Sequence, residues 1–450
     1  MFDHSVSNPN FYGREQVMNL LSEALLPSKT RVISSQNTGL RQFSLCGLGG
    51  IGKTEIAQEF ASTFKDEFDA IFWVTSDETA KLDIRFQQIS VQLGLEAVSE
   101  SKSNVVSREL VKGWLSKPWR DFSNETELQP GSKSLSEASW LLIFDNADDP
   151  YLLTDYWPQG NGSVLITSRD PLAKSIFSMR TSGIDLESLS DIDGASLLLR
   201  LTDNEDGDDA EGGAQELAVR IAQVLGGIPL AISQMAGIIR RQDLTLREFL
   251  DLYNDPYEHA NLHGMKFDSI TQSYPHTIAT AWAIEKLRPK PRRLLESIIF
   301  FDPDNIKEDL LIELSTDLFS ARKDEYRKVR TELLQTSLIR RNKQNNEISV
   351  HRLVQDAVRA KLDDATIRSI FGRFVCLLWA NWPSAMPKPS RAPEYPQPKA
   401  NNKRLEVGRW PLCAALYPHV LKLHQLWPSI GDLPDTIKIQ FSALLNDAAW

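Results

Sequence analysis

The sequence predicts an α/β domain built on a five-stranded parallel sheet, followed by a helical domain, a winged-helix domain and a C-terminal helical segment. Three observations predict it. The first half alternates short apolar runs with helix-like stretches, the pattern of a parallel sheet covered on both faces. After about Ser190 the strand signal nearly disappears and helical periodicity replaces it. A third block, from about Thr277, closes with two short apolar strands around a polar turn.

The candidate strands of the first domain are Gln42–Cys46, Ala70–Val74, Trp140–Phe144, Ser163–Thr167 and Ile184–Leu186. Each is nearly all apolar and rich in β-branched or aromatic residues, as expected of strands buried on both faces. Between the first two, Glu55–Phe64 places Ile56, Ala57, Phe60, Ala61 and Phe64 on one helical face. Further on, Gln215–Leu225 puts Leu217, Ile221, Val224 and Leu225 on one stripe. Gly226-Gly227-Ile228-Pro229 breaks that helix and Leu230–Ile239 starts another. Helices of the third block follow from Leu294/Leu295/Ile298/Ile299, Ile306/Leu310/Leu311/Leu314 and Tyr326/Val329/Leu333. Leu338–Arg340 and Ile348–Val350 flank Asn342–Glu347 and read as a hairpin, hence a winged helix. The expected domains are therefore 1–190, 191–270, 271–362 and 363–450.

Composition narrows the function classes. The 450 residues carry 42% hydrophobic and 24% charged side chains, an ordinary globular mixture. A net charge of −10 disfavours non-specific attraction to nucleic acid or an anionic membrane surface. Cys46, Cys376 and Cys413 are widely separated and odd in number, which excludes a disulfide scaffold. MFDHSVSNPNFYGRE lacks the apolar core of a signal peptide, and no apolar run approaches the ~18–20 residues that span a bilayer. The expectation is a soluble, cytoplasmic protein. Asp121–Ser139, the acidic Asp203–Gly213 and the proline-rich Pro383–Pro398 read as loops or linkers. His259 and His263 share helical spacing without a third ligand, so they do not make a metal site.

Gly47-Leu48-Gly49-Gly50-Ile51-Gly52-Lys53-Thr54 matches G-x-x-x-x-G-K-[ST] in full, with a strand before it and an amphipathic helix after. Its glycines let the backbone aim several N–H groups at phosphate oxygens, and the following helix adds its positive end. Lys53 supplies a point charge for the terminal phosphates, and the Thr54 hydroxyl can join a Mg²⁺ shell. Trp140–Asp145 is an apolar strand ending in an acid, which delivers one carboxylate to that metal. Asn146 follows it and cannot act as a general base, so ATP hydrolysis is slow at most; Asp148 and Asp149 are the acids left to reach a water. Ser163–Arg169 is another buried strand, ending in an arginine able to sense a γ-phosphate.

Taken in order, these segments resemble the NB-ARC module of STAND signal-transduction ATPases, in the form found in fungal NOD-like receptors. Phe11-Tyr12-Gly13-Arg14-Glu15 resembles the family's opening motif, which lines the adenine pocket. Thr167-Ser168-Arg169 matches its arginine sensor, and Gly227-Ile228-Pro229-Leu230 its Gly-Leu-Pro-Leu, whose proline packs on the nucleotide. Ile348–Gln355 resembles the winged-helix motif in which a histidine, here His351, contacts the β-phosphate of ADP. The resemblance runs from about Phe11 to Leu362. Two departures stand out: Asn146 replaces the usual second Asp, and Arg352 the usual Asp after the histidine.

What the resemblance implies is a molecular switch, ADP-bound at rest and self-associating into a ring with ATP and Mg²⁺. Phe11, Tyr12, Arg14, Gly47, Gly49, Gly50, Ile51, Gly52, Lys53, Thr54, Pro229 and His351 would hold the nucleotide. Thr54 and Asp145 would hold the metal, and Asp145 and Arg169 any catalytic step. The role implied is innate-immune signalling, in fungal non-self recognition or cell death, with an unknown effector and no nucleic-acid or membrane partner. Gly408–Leu426 resembles the helical segment before tetratricopeptide repeats, and neither an effector domain nor a repeat array is expected within these 450 residues. Two other readings compete: a nucleic-acid-dependent initiator ATPase of the AAA+ class, which the charge opposes, and a hydrolysis-dead adaptor or decoy.

Overall fold

The computed structural model describes residues 8–27, 39–97, 103–118, 137–177, 182–202, 213–255, 282, 284–304, 306–319, 323–384 and 407–449. The acidic segment after Asp203, the two histidines at 259 and 263, most of the stretch from Asp121 and most of the proline-rich linker lie outside them. The chain forms two compact units, Met1–Arg247 with Gln335–Ser337, and Glu248–Leu334 with Leu338–Trp450.

In the first unit, α1 (Glu15–Leu25) leads into β1 (Arg41–Cys46), α2 (Lys53–Thr63), β2 (Ala70–Thr75), α3 (Thr79–Gln92) and α4 (Asn104–Ser116). Then come β3 (Trp140–Asp145), β4 (Ser163–Ser168) and β5 (Gly183–Asp185). The five strands form one parallel sheet in the order β2-β3-β4-β1-β5. All five expected strands are present, with ends shifted by a residue; β5 stops at Asp185, although the Leu186 N–H still donates to Cys46 O.

Side-chain alternation divides the core. Trp140, Leu142 and Phe144 of β3, with Val164 and Ile166 of β4, face a cluster completed by Phe86, Val111 and Tyr156. Leu141, Ile143 and Leu165 face the other way, against Phe43, Leu45, Ile56 and Phe60. A strand covered on both faces needs apolar residues at consecutive positions, which is why β3 reads Trp-Leu-Leu-Ile-Phe without a polar break. The strand ends, not their middles, are left to carry polar groups.

The sheet is followed by α5 (Asp191–Leu201), α6 (Gly213–Val224), α7 (Pro229–Gln242) and α8 (Leu246–Asn254), the last crossing into the second unit. Ser190 caps α5, its hydroxyl accepting the Asp193 N–H at 3.0 Å. Pro229 occupies the first turn of α7, where its missing N–H would have had no helical partner.

After the end of α8, the second unit has α9 (Pro289–Ile298), β6 (Ile306–Lys307), α10 (Glu308–Phe319) and α11 (Lys323–Gln335). It continues with β7 (Ile339–Asn342), β8 (Glu347–Val350), α12 (Arg352–Arg359) and α13 (Asp364–Asn381), then α14 (Trp410–Leu426) and α15 (Asp435–Ala448). One expectation is corrected here. Ile306 does not start a helix: it pairs with Ile348 in a two-residue strand, so the hairpin becomes a three-stranded antiparallel sheet, β6-β8-β7. A β-branched residue just before an acidic helix start satisfies both patterns, and only the pairing with β8 decides. None of the described helices is long and apolar enough to cross a membrane.

The β3 core tests the packing account. A Cβ on Gly162 would lie 2.0–2.2 Å from the Trp140 ring, which is fully buried and held by its Nε1–H bond to Leu115 O at 3.0 Å. Gly162→Ala is expected to destabilise the fold by about 3 kcal/mol, seen as an earlier urea midpoint. Unchanged stability would show that the ring is free to move.

Candidate functional site

Three strand ends converge at the carboxyl edge of the sheet. After β1 the backbone turns through Gly47–Gly52, with Gly50 and Gly52 at φ of +80° and +97°, a region in which side chains are strained. A Cβ on Gly50 would also press on Leu230 at 2.9 Å. The turn delivers Lys53 and Thr54 into the first turn of α2, so the loop's N–H groups and the helix end face the same space.

Lys53 is nearly fully buried, and its Nζ donates to Gly47 O at 2.8 Å and Leu48 O at 3.0 Å. Burial pushes its pKa down to about 8, against the opposing pull of Asp148. Asp145, at the tip of β3, is also buried, and burial raises its pKa. Two hydroxyls oppose that rise by donating to the same carboxylate oxygen, Oδ1: Thr54 at 2.9 Å and Thr167 at 2.6 Å. Thr54 thus joins α2 to β3, and Thr167 joins β4 to β3.

The chain after Asp145 makes a tight turn. Asn146 sits at φ +60°, where asparagine is among the better-tolerated residues, and its N–H donates to Thr167 Oγ1 at 3.0 Å. Ala147 N–H donates to Thr167 O at 2.9 Å, which brings Asp148 back over the end of β4. There Asp148 Oδ1 accepts the Arg169 N–H at 2.8 Å, and Oδ2 lies 3.1 Å from Arg169 Nε.

Two further segments reach this edge. Arg14 donates to Glu187 O at 3.0 Å and to Ile51 O at 3.1 Å, tying the Phe11–Arg14 segment to the glycine loop. Phe11 packs on the core face that holds Ile51, while Tyr12 is partly exposed. From the helical side, Leu230 N–H donates to Gly50 O at 3.2 Å, and Leu189 N–H to Gly227 O at 2.9 Å. The Gly-Ile-Pro-Leu turn therefore rests directly on the glycine loop.

The structure thus brings together Phe11, Tyr12, Arg14, Gly47, Gly49, Gly50, Ile51, Gly52, Lys53, Thr54, Asp145, Arg169 and Pro229 within the first unit. His351 belongs to the second unit, where it caps α12, its Nδ1 accepting the Leu353 N–H at 3.3 Å. Two contributors escaped the sequence reading as site residues. Thr167 was visible only as part of the arginine motif, and the β3–β4 register is what sets its hydroxyl on Asp145. Leu230 is an apolar residue whose contribution is a backbone N–H.

Comparison with known proteins agrees with this geometry. Residues 28–202 match the NB-ARC domain family. This part of the chain is an NB-ARC domain. The fold is that of a P-loop NTPase, and the domain is a nucleotide-binding one. Residues 282–367 match a domain of unknown function, DUF7779. A "nucleotide-binding leucine-rich repeat (NLR)-like protein" of Hyaloscypha variabilis is 26% identical over 382 residues, covering 78% of this chain and 35% of its own length. The chain thus spans about a third of that relative. Among solved structures, the Walker-type ATPase PABY2304 of Pyrococcus abyssi superposes with a TM-score of 0.50 at 12% identity, covering 80% of this chain and 99% of its own. That likeness is one of fold.

The Asp145 arrangement carries a direct test. Thr167→Val keeps the side-chain shape but removes a hydroxyl donor from Asp145 and the acceptor of the Asn146 N–H in the NB-ARC domain. It is expected to cost about 1–3 kcal/mol in denaturant unfolding, restored by Thr167→Ser. Equal stability of the valine variant would show that the two bonds contribute nothing.

Proposed function

We propose that the chain is the nucleotide-controlled switch of an NLR-type signalling protein, ADP-bound at rest and ring-forming with ATP. The observation that carries this reading is the seat of the Gly-Ile-Pro-Leu turn on the glycine loop, through Leu230 N–H and Gly50 O. A ligand whose phosphates fill the loop then contacts both the sheet and the helical elements. Differential contact of that kind is what lets a ligand shift a conformational equilibrium.

In this reading the glycine-loop N–H groups and Lys53 hold the phosphates, while Phe11, Tyr12, Arg14 and Pro229 border the adenosine. Thr54 Oγ1 and the Asp145 carboxylate are hard oxygen donors 2.9 Å apart. They fit Mg²⁺, which takes one or two protein oxygens and completes its shell with phosphates and water. Bound there, the ion would neutralise phosphate charge.

In the family that the sequence resembles, a histidine at the place of His351, which lies in the second unit, meets the β-phosphate. The elements from α9 to β8 run helix, strand, helix, helix, hairpin, which supports a winged helix in this region. Because Nδ1 accepts the Leu353 N–H, the neutral imidazole carries its proton on Nε2, the donor a β-phosphate oxygen needs. Four arginines of this region are paired with acids: Arg288 with Glu332, Arg292 with Glu296, and Arg330 and Arg341 with Glu308. That pairing supports solvated, ion-paired faces over a nucleic-acid surface.

Turnover is slow. The Asn146 carboxamide takes no proton from a water. Both Asp148 oxygens are engaged by Arg169. Signalling then follows from assembly rather than from product. A cytoplasmic setting and a role in fungal non-self recognition or cell death fit this output, with the effector supplied by another protein or segment.

Light scattering of the purified chain with ADP, and with a non-hydrolysable ATP analogue plus Mg²⁺, tests the proposal. Monomeric mass with ADP and a multiple of it with the analogue are expected. The same monomeric mass under both conditions would refute the switch and leave the adaptor reading.

A further inference from the structure

The acid that grips Arg169 stands just beyond the end of β3, in the turn that follows Asp145. Asp148 is placed by the turn at Asn146 and by the Ala147 N–H bond to Thr167 O. Its carboxylate takes the Arg169 side chain through Oδ2 at 3.1 Å while Oδ1 holds the same residue's backbone N–H at 2.8 Å. One carboxylate oxygen thus holds the backbone of Arg169 and the other its side chain at Nε, a charge-assisted contact. Among the acids around Lys53, Asp148 does most to keep the ammonium protonated. One carboxylate therefore serves both cations, Lys53 and Arg169, that a terminal phosphate would recruit.

We propose that Asp148 is a selectivity residue which occupies Arg169 in place of a γ-phosphate, so that a nucleoside triphosphate must displace it while a diphosphate need not. This rests on reading the cleft as the nucleotide site described above. The γ-phosphate gains a new ion pair with Arg169 only after the Asp148 pair is broken and that carboxylate is rehydrated. The diphosphate leaves the pair intact. The consequence is a site biased toward the diphosphate, with the bias set by one ion pair. Lys53 and the glycine loop then contribute to both ligands alike.

Asp148→Asn removes the charge but keeps an oxygen for the Arg169 N–H, so the turn is retained. Affinities for ADP and for a non-hydrolysable ATP analogue, each with Mg²⁺, are measured by calorimetry. Loss of a nearby negative charge strengthens binding of both, so the readout is their ratio. The analogue-to-ADP affinity ratio is expected to rise about tenfold in Asp148→Asn and to return toward wild type in Asp148→Glu. Adding Arg169→Gln to Asp148→Asn should bring the ratio to within about twofold of Arg169→Gln alone, because the two residues act through one contact. A ratio unchanged in Asp148→Asn, or raised equally in the Arg169→Gln background, would overturn the proposal while leaving the nucleotide site standing. A wild-type chain that binds neither nucleotide would overturn both.

Discussion

Everything at the carboxyl edge of the sheet depends on charge buried without enough opposite charge to balance it. Lys53 and Asp145 are each withdrawn from water, and burial pushes each toward its neutral form. The lysine is met by two carbonyl dipoles and the field of Asp148, the aspartate by two hydroxyl dipoles and the field of Lys53, and these offset burial only in part. Burying a charge on those terms is costly, and such sites persist where a ligand completes them. In the proposed reading, a phosphate would complete the lysine's side and a divalent cation the carboxylate's. The glycine loop, the Thr54 bridge and the seat for Leu230 are the scaffold that holds this imbalance in place.

The same imbalance explains the division of labour between the strand ends. β3 and the middle of β4 are apolar, so polar residues stand at the strand ends, with Asp145, Thr167 and Ser168 at the carboxyl edge. A single register, Phe144 opposite Ile166, puts the next pair of residues side by side and lets one threonine hydroxyl reach the carboxylate. The position after Asp145 is an asparagine in a left-handed turn, and the acid after that turn is bound to an arginine.

Much of this was legible before any coordinates. β3 could be read because a doubly covered strand leaves no polar break, and the glycine loop because its residue types are dictated by backbone conformation and phosphate chemistry. What could not be read depends on partners distant in the chain. Ile306 pairs with a strand more than forty residues away, and no local pattern distinguishes that from a helix start. Thr167 looked like the polar end of a strand, and Asp148 like one of two acids near a water. Only the turn at Asn146 and the β3–β4 register show that one buttresses Asp145 and the other holds Arg169. Leu230 acts through its backbone, which residue identity does not encode.

The most direct measurement is proton uptake when a nucleotide binds, obtained from calorimetry at pH 8.5 in two buffers of different ionisation enthalpy. Burial pushes the Lys53 pKa down to about 8 in the free chain, so part of the side chain is the neutral amine at that pH. Phosphate binding raises that pKa, so the sign is uptake, and affinity declines as pH climbs past about 8. Lys53→Arg, always charged, should abolish the uptake if it binds. No uptake in the wild-type chain, or the same uptake in Lys53→Arg, would contradict a buried ammonium waiting for phosphate.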